Sequence, residues 1–595
     1  MKRYIKRYTI SLPNDFNPEI YRSLHEDLYN LSDQELIDHY IKYGFYEKRI
    51  YKQIINLPVD FNPEIYKSLN GDLVNLSNEE LKNHYLKYGI KEKRVYNKTN
   101  FIIVTSKIIE SIAINLKSIL INLGYYVNIT YALTIQECLT SNSIYIIIHN
   151  DAKHNYLPEK FILYQVEQTN SGYFNDKLYN MLNKAILIWD FSIKNKIKYP
   201  DTISLNKIFY MPMPLSEYIL ESNSELEYDI LFYGSLNERR TNLLNMISNK
   251  YNIKICSSIF GEELSNYIKK SKIIINLHYY EDAALEICRL NEILVYDKVI
   301  ISEYSVKEDW FNMELYNKLV FYYDGIDNLY SLIDFYLDPI NYNNYILTIK
   351  ENRKILSQKI NYIINKNLIS VIPSLPNKIE YDLNSESIYC LHLIETPYRM
   401  DIFKKQSYIP EIIIFPAIKY SPSWIGCAYS YNNLIWNAKR CNLETITICE
   451  DDCVFTEDFE DKHKIIKEFL SQLPEWDIFV GCVANLPKDT NIIKVHTYKD
   501  ITFIEIDKMH SMVFNIYNKS SYDKIINWDR NNLDDNVNTI DQYIKRQNMK
   551  IIITYPFYFS CTDSMSTLWG ANLFDVYNDM FNKSLQIIKN KLDLF

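Results

Sequence analysis

From Phe101 onward, the hydrophobic positions fall into short runs rich in Ile and Val, separated by stretches with helical periodicity. Runs of four to eight apolar residues between helical segments are typical of parallel strands in α/β layers. Eleven such runs, from FIIVTS at residue 101 to KLVFYY at residue 318, predict two Rossmann-like lobes at 101–215 and 226–340. A third α/β unit begins with SIYCLHLI at residue 387.

An internal repeat precedes these runs. Residues 12–51 recur as residues 57–96, with 27 of 40 positions identical. Each copy has an Asn-Pro helix start and a Ser-x-x-Glu capping box, which predict a helical hairpin. Gly44 and Gly89 follow the second helix of each copy, where a glycine in the left-handed conformation is expected to end it. The capping-box pairs are Ser32 with Glu35 and Ser77 with Glu80.

These patterns together predict a multidomain α/β protein. Residues 1–100 form two all-α helical repeats, 101–340 a double Rossmann unit, 341–384 a helix and linker, and 385–595 the last α/β domain. A length of 595 residues is enough for several such cores.

Composition and net charge argue against several classes of protein. The net charge of -9 argues against nucleic acid as the main partner, because no excess of Lys and Arg exists to neutralise phosphates. The sequence contains no apolar run long enough to span a membrane and no signal-peptide pattern at its start. Ten cysteines without metal-ligand spacing indicate reduced thiols, so we expect a cytoplasmic protein. The richness in Ile, Asn, Lys and Tyr resembles giant-virus or parasite proteomes, which would mean the host cytoplasm if the protein is viral.

The central unit contains a candidate phosphate-binding turn. Gly234 and Ser235 follow the apolar run YDILFY, and a helix carrying Arg239 and Arg240 comes next. A helix N-terminus after a strand offers free backbone N–H groups to a diphosphate, and arginines add charged donors. An ordinary strand-to-helix turn is the alternative, since one glycine is a weak motif.

Several blocks of the central unit resemble a GT-B-type, family-1-like glycosyltransferase domain. They are FILYQVEQ, AILIWDFSIKN, YDILFYGSLNERR, KIIINLHYYEDAALEICRLNEIL and VIISE, in the order of the family. The resemblance implies a nucleotide sugar between two lobes, with Gly234, Arg239 and Arg240 near its phosphates and Glu286 and Glu303 near its sugar or ribose. Leu294 stands where many retaining members have a second glutamate, so a degenerate pair of lobes that binds or scaffolds is an equal alternative.

An acidic motif marks the last domain. Glu450, Asp451 and Asp452 directly follow the β-branched run TITIC, so they are expected at the carboxyl end of a strand. Adjacent carboxylates repel one another unless a cation lies among them, and Mn²⁺ or Mg²⁺ is expected to link them to substrate phosphates. A solvated acidic turn is the alternative. Cys449 and Cys453 flank the motif, but without a second ligand pair they are interpreted as buried small residues.

Blocks of the last domain resemble glycosyltransferase family 25, which includes lipooligosaccharide and procollagen galactosyltransferases. The blocks are IYCLHLIETPYRMDIF, FPAI, IGCAYSYNNLIW, TICEDDCVF, MHSMVFNIYNKSSYDKII, TIDQYI and PFYFSCTDSMSTL. The resemblance implies a GT-A-type fold, a metal-dependent UDP-sugar donor and inversion at the anomeric carbon.

The same resemblance assigns roles to individual residues. Asp451 and Asp452 would hold the metal, supported by Glu450, with Arg399 near the nucleotide. Gly426 and Ser430 would belong to the turn before the helix over the donor. Asp541 is the candidate general base, because inversion needs a carboxylate on the acceptor face; Asp534 and Asp535 are its rivals. The family usually has His after this serine, whereas this chain has Tyr431.

The predicted activity is a hexosyltransferase that moves a sugar, galactose or glucose, from a UDP-sugar to a hydroxyl group. The acceptor is expected to be a glycan or a glycosylated or hydroxylated protein, and the central unit is expected to add a second activity if it is not degenerate. Two other classes stay open from the sequence. One is a catalytically degenerate protein that binds nucleotide sugar or glycan, and the other is a metal-dependent phosphotransfer enzyme with the same acidic cluster.

Overall fold

A computed structural model describes residues 12–13, 16–44, 49, 57, 61–89, 92, 94, 96, 100–133, 143–149, 157–216, 218, 220, 225–371, 378–562 and 574–595. The chain divides into two compact units, residues 1–96 and 97–595. Residues 563–568, the end of the block PFYFSCTDSMSTL that resembles family 25, lie outside the described residues.

The first unit contains two similar helix pairs. Its helices are α1 (Pro18–Leu24), α2 (Asp33–His39), α3 (Pro63–Leu69) and α4 (Asn78–His84). Both predicted capping boxes are present, because the Ser side chain and the Glu side chain each bond the other residue's backbone N–H. Asn62 caps α3 by accepting hydrogen bonds from the backbone of residues 64 and 65. The helical-hairpin prediction therefore holds at these four helices.

The reason for the two repeat glycines differs from the prediction. Neither Gly44 nor Gly89 has a positive φ, so neither is needed for a left-handed cap. A Cβ at Gly44 would lie 2.1 Å from the Tyr21 hydroxyl, and one at Gly89 would lie 2.4 Å from the Tyr66 hydroxyl. Glycine is required because a buried tyrosine approaches the backbone at each position.

The second unit begins with a six-stranded parallel sheet in the order β2-β1-β3-β4-β5-β6. Its strands are β1 (Asn100–Val104), β2 (Tyr126–Thr130), β3 (Ile144–His149), β4 (Phe161–Gln165), β5 (Leu187–Asp190) and β6 (Ile208–Tyr210). Its helices are α5 (Glu110–Asn122) and α6 (Asp176–Lys184).

A second parallel sheet has the order β11-β10-β9-β7-β8. Its strands are β7 (Tyr228–Tyr233), β8 (Ile253–Cys256), β9 (Ser271–Asn276), β10 (Val299–Glu303) and β11 (Val320–Tyr323). The accompanying helices are α7 (Glu238–Ser248), α8 (Gly261–Lys269), α9 (Ile287–Ile293), α10 (Trp310–Tyr316) and α11 (Ile326–Leu337). All eleven predicted strands of the two lobes are confirmed.

A long helix, α12 (Pro339–Leu368), joins these lobes to the last domain. Asp338 caps it and Pro339 occupies its first turn. The segment predicted as a linker is fixed after residue 378, because the backbone N–H groups of Ile379 and Tyr381 donate to Asn433 and Asn437 at 2.8 and 2.9 Å. It therefore packs against the last domain.

The last domain is built on a mixed eight-stranded sheet in the order β13-β12-β14-β19-β16-β20-β18-β17. Its strands are β12 (Ile388–His392), β13 (Ile412–Pro416), β14 (Thr445–Glu450), β16 (Ile478–Val480), β17 (Ile492–Tyr498), β18 (Ile501–Ile506), β19 (Phe514–Asn518) and β20 (Ile551–Tyr555). A separate pair joins β15 (Cys453–Val454) and β21 (Ser560–Cys561). Its helices are α13 (Pro397–Phe403), α14 (Ser423–Arg440), α15 (Phe459–Gln472), α16 (Lys519–Ile526), α17 (Asp535–Asn538), α18 (Ile540–Lys545) and α19 (Phe574–Leu592).

One hydrophobic cluster runs through all three sheets and α12. It includes Ile146 of the first lobe, Ile274 of the second, Ile363 of α12 and Ile448 of the last sheet, none of which is exposed to solvent. Removing apolar surface of this extent from water is the dominant stabilising contribution in folding. The lobes and the last domain are therefore packed as one body, which fixes the surfaces that meet between them.

Candidate functional site

The acidic motif lies where the order of strands in the last sheet reverses. Strand β12 pairs with β13 on one side and β14 on the other, all three parallel. Ligands in open α/β sheets bind outside the carboxyl ends of strands at such a switch point. His392 ends β12, Glu450 ends β14, and Asp451 and Asp452 follow. The predicted position of the carboxylates at a strand end is therefore confirmed.

Asp451 is held by two buried side chains. His392 Nδ1 lies 2.7 Å from its Oδ2, and Arg399 Nε donates to its Oδ1 at 2.8 Å. Burial alone would raise the pKa of Asp451, but the His392 hydrogen bond and the Arg399 charge outweigh it and lower the pKa to about 2. Both oxygens are engaged by protein groups, so the geometry favours the neighbouring carboxylates over Asp451 as metal ligands.

Asp452 and Glu450 are neighbouring carboxyl groups whose negative charges repel each other. Burial, and then the negative charge of Asp452, raise the pKa of Glu450 to about 8, although Tyr431 donates a hydrogen bond. Burial also raises the pKa of Asp452, against the charge of Arg399, whose terminal nitrogen lies 3.1 Å from Asp452 Oδ2. The other oxygen, Asp452 Oδ1, is buried and has no hydrogen-bond partner among the described residues. A cation at this oxygen would relieve both the repulsion and the lost hydrogen bond.

The carboxylates present fit a cation that is coordinated partly by the protein and partly by a bound ligand. In the part of the chain that the structure describes, no group of three or more His, Cys, Asp and Glu side chains converges as a metal site. Mg²⁺, a hard cation like Mn²⁺, is commonly bound through one or two carboxylates plus water and substrate phosphates. Asp452 and Glu450 match that smaller set, and the cation expected from the sequence at Asp451 and Asp452, with support from Glu450, stays a prediction.

A cavity of about 870 Å³ opens in front of these carboxylates. This volume is within the range of roughly 300–1,000 Å³ for small-ligand sites. One wall belongs to the last domain and includes Arg399, Cys427 and the three acids. Another part of the lining belongs to the first lobe and includes the turn that carries Lys196.

Gly426 and Ser430 lie inside α14, not in a turn before it. A Cβ at Gly426 would lie 2.4 Å from the carbonyl oxygen of Ile418. Ser430 Oγ accepts from the Ile418 N–H at 2.8 Å and donates to the Gly426 carbonyl at 2.7 Å. The prediction of a donor-binding turn is therefore wrong in its local structure, because the two residues fix α14 against the loop after β13. Ser430 also lines the cavity.

The candidate bases lie beyond the cavity wall. Asp541 is in the first turn of α18, where Thr539 Oγ1 donates to it at 2.7 Å. Burial raises the pKa of the Cys427 thiol, which lines the cavity, and the charges of Glu450 and Asp541 raise it further. Asp534 and Asp535 are exposed at the start of α17. Among the three, Asp541 is the one electrostatically linked to the cavity.

The second lobe assembles the residues predicted to bind a donor. Gly234 ends β7 with φ +135°, and its missing side chain leaves room for the Arg289 guanidinium, which would lie 2.7 Å from a Cβ. Strands β7 and β9 are neighbours at the switch point of this sheet. Arg239 forms an ion pair with Glu303 and donates to the carbonyl of His278 at 3.0 Å.

The Arg240 guanidinium is occupied by contacts within the protein. It is 1% exposed, and it donates to the carbonyl groups of Leu277 and Ser235 and to Glu286 Oε1 at 3.0 Å. Glu286 Oε2 also pairs with Arg289 at 3.0 Å. The predicted phosphate contact from Arg240 is not supported by this geometry, because its donors are directed to the protein. The sequence-predicted residues of the second lobe therefore come together, but as pairs of arginine and glutamate.

Sequence reasoning missed three groups at the cavity. His392 was detectable in principle, because it ends the strand beside β14. Lys196 and Glu395 lie about 200 residues apart in sequence and meet only through packing of the lobe on the last domain, where Lys196 Nζ donates to the Glu395 carbonyl at 3.2 Å. No local pattern of residues marks such a contact.

No family model matches the sequence. Two uncharacterized proteins of Acanthamoeba polyphaga mimivirus are similar to parts of it. One is 31% identical over 165 residues, which cover 26% of this chain and 57% of the relative. The other is 27% identical over 176 residues, which cover 28% and 56%. The matches thus span little more than half the length of either relative.

Solved structures of glycosyltransferases are similar to the fold at low identity. An α1,3-fucosyltransferase covers 43% of this chain and 82% of its own length, with 9% identity and a TM-score of 0.27. A glycosyltransferase from Rickettsia africae covers 46% and 97%, with 13% identity and a TM-score of 0.27. MurG from Acinetobacter baumannii covers 43% and 98%, with 10% identity and a TM-score of 0.23. These TM-scores are too low to support a function, which must be argued from the site.

None of the helices within the described ranges has the length and apolar character needed to cross a membrane.

Proposed function

We propose that the protein is a divalent-cation-dependent glycosyltransferase whose reaction takes place in the cavity at Asp452. The proposed donor is a UDP-sugar, with galactose or glucose as the sugar, and the proposed acceptor is a hydroxyl group of a glycan or protein. The observation that supports it best is the buried Asp452 Oδ1, which lacks a hydrogen-bond partner among the described residues. It lies beside Glu450, at the strand switch point of the sheet, in a cavity of about 870 Å³. The likeness to family 25 in the sequence motifs agrees with this site.

The proposal assigns cation binding and positioning to different residues of the site. Asp452 and Glu450 would hold Mn²⁺ or Mg²⁺. A bound cation supplies Lewis-acid neutralisation of the charge that develops on the leaving diphosphate. Arg399 fixes Asp451 and Asp452 in position, and His392 holds the second oxygen of Asp451. The carboxylates are therefore positioned before the ligand arrives, which reduces reorganisation during the reaction.

The acceptor side is assigned to Asp541. An inverting transfer needs a base that takes the proton from the acceptor hydroxyl as that oxygen attacks the anomeric carbon. Asp541 Oδ1 accepts from Thr539 and from the backbone of Gln542, so Oδ2 is the atom assigned to receive the proton. The acceptor is placed between α18 and the cavity in this proposal.

For the central unit, the arginine and glutamate pairs favour a scaffold over a second transferase. Arg240 and Glu286 stabilise the second lobe through buried contacts. Arg239 is 28% exposed on its side chain and is the residue of this group able to exchange its partner for a ligand. A metal-independent activity that is lost in Arg239→Ala would instead show that the central unit is a second transferase.

The test is UDP release by the purified full-length protein from a panel of UDP-sugars, with Mn²⁺ and with chelator. The proposal expects turnover of one donor, UDP-galactose or UDP-glucose, that requires the cation. Release of UMP in place of UDP would indicate the phosphotransfer alternative, because the sugar phosphate would then be the group transferred. If the protein neither turns over nor binds any UDP-sugar, the proposal is contradicted and the non-catalytic alternative remains.

A further inference from the structure

Part of the lining of the cavity comes from the first lobe, far in sequence from the acids. The turn Ile193–Lys198 follows β5 of the first lobe and contributes Ile193 and Lys196 to the cavity that contains Asp452. The backbone N–H of Tyr210, at the end of β6, donates to Glu395 Oε1 of the last domain at 3.0 Å. The site of the last domain is therefore closed by the first lobe.

The turn that carries Lys196 is rigid. Asn195 Nδ2 donates to Asp190 Oδ1 and to the Glu167 carbonyl, both at 2.9 Å. Asp190 Oδ1 also accepts from the Ser192 N–H at 3.0 Å. These contacts anchor the first half of the turn to the carboxyl edge of the lobe's sheet. Lys196 is thus presented to the cavity from a fixed backbone.

The positively charged side chains that line the cavity differ in the protein groups that they bond. Arg399 pairs with Asp451 and Asp452. Lys419 Nζ donates to the Leu205 and Ile208 carbonyl groups at 2.9 and 2.7 Å. Among the described residues, Lys196 Nζ donates one hydrogen bond, to the Glu395 carbonyl at 3.2 Å. An ammonium group has three donors, so Lys196 retains two for a ligand.

We infer that the cavity is a composite site in which Lys196 of the first lobe binds the phosphate groups of a nucleoside diphosphate held at Asp452 of the last domain. This inference rests on the proposed function. The phosphates would lie between the cation at Asp452 and the Lys196 ammonium. Burial lowers the pKa of Lys196 and the charge of Glu395 opposes that shift, so a bound anion would favour the charged ammonium further.

The test measures binding of UDP and of uridine to the full-length protein by calorimetry in the presence of Mn²⁺. Lys196→Met is expected to weaken UDP binding about tenfold or more, because a charge-assisted contact is lost. Uridine, which has no phosphate, should bind both proteins equally. Lys198→Met is the matched control, since Lys198 is an exposed lysine of the same turn and should bind UDP as the wild type does. Lys196→Arg should retain most of the affinity.

Each of the other possible results would contradict a specific claim. If UDP binding is equal in Lys196→Met and Lys198→Met, the inference is wrong, and Mn²⁺-dependent binding that is lost in Asp452→Asn would still support the proposed function. Parallel losses of UDP and uridine binding in Lys196→Met would show a purely structural lysine and overturn the inference. A selective UDP loss in Lys196→Met with no effect of Asp452→Asn would keep the lysine contact and overturn the cation site. Absence of UDP binding by the wild type would overturn both.

Discussion

The Tyr431 hydroxyl lies 2.9 Å from Glu450 Oε1 and 2.8 Å from the Met512 carbonyl oxygen. Both neighbours are acceptors when Glu450 is ionised, and a hydroxyl has one proton to donate. The Tyr431 hydroxyl donates toward both oxygens, so its one proton is shared between them. Its hydrogen bond opposes the rise in the pKa of Glu450 to about 8 that burial and the Asp452 charge cause. Tyr431, at the position where family 25 usually has His, thus positions an acidic residue of the site.

Removing this hydroxyl should destabilise the protein. Tyr431→Phe leaves the Glu450 carboxyl and the Met512 carbonyl without their partner, which we expect to cost about 1–3 kcal/mol in the free energy of unfolding. Urea denaturation measures the change. Tyr522→Phe is the control, because the buried Tyr522 hydroxyl has no hydrogen-bond partner among the described residues and its loss should cost little. Equal stability of the two variants would contradict the role assigned to Tyr431.

The two arginines of α7 should respond differently to neutral substitution. Arg240→Met removes the donor to two carbonyl groups and one of the two arginines paired with Glu286, and we expect a loss of about 3 kcal/mol or more. Arg239→Met breaks a more exposed pair with Glu303 and should cost about 1 kcal/mol or less. Midpoints of urea denaturation compare them. A larger effect at Arg239 would show that the Arg240 contacts are not structural.

Asp190 should make stability fall with rising pH. Burial raises its pKa to about 7, although hydrogen bonds from Tyr199, Ser192 and Asn195 lower it. The ordinary value is about 3.9, so between about pH 4 and pH 7 the folded protein binds more protons than the unfolded chain. Stability contributed by this group therefore decreases across that window and is constant above it.

Asp190→Asn tests this dependence, because it keeps the acceptor for Ser192 and Asn195 but does not titrate. The drop in the urea midpoint between pH 5 and pH 7.5 should be smaller in the variant than in the wild type. Asp309, whose pKa burial raises to about 6, continues to contribute in both proteins. An identical pH dependence in wild type and variant would show that Asp190 is ionised throughout.

Much of the fold was readable from the sequence because each strand of the two lobes is a short apolar run between polar turns. Residue 450 was placed correctly at a strand end for the same reason. Contacts between distant segments could not be read in this way. Arg399 was expected near a nucleotide, but it bonds Asp451, which is 52 residues away. The need for Gly426 arises from the Ile418 carbonyl, which lies against α14 in the folded domain.

The assignment of Asp452 is the central claim, and its neutral amide variant tests it most directly. Asp452→Asn should lower cation-dependent UDP release from the preferred UDP-sugar by about 100-fold or more, because the orphan carboxylate oxygen is lost as a cation ligand. Asp458→Asn, a change at an exposed aspartate just beyond the motif, should retain wild-type turnover. Full cation-dependent turnover in folded Asp452→Asn protein would contradict the account.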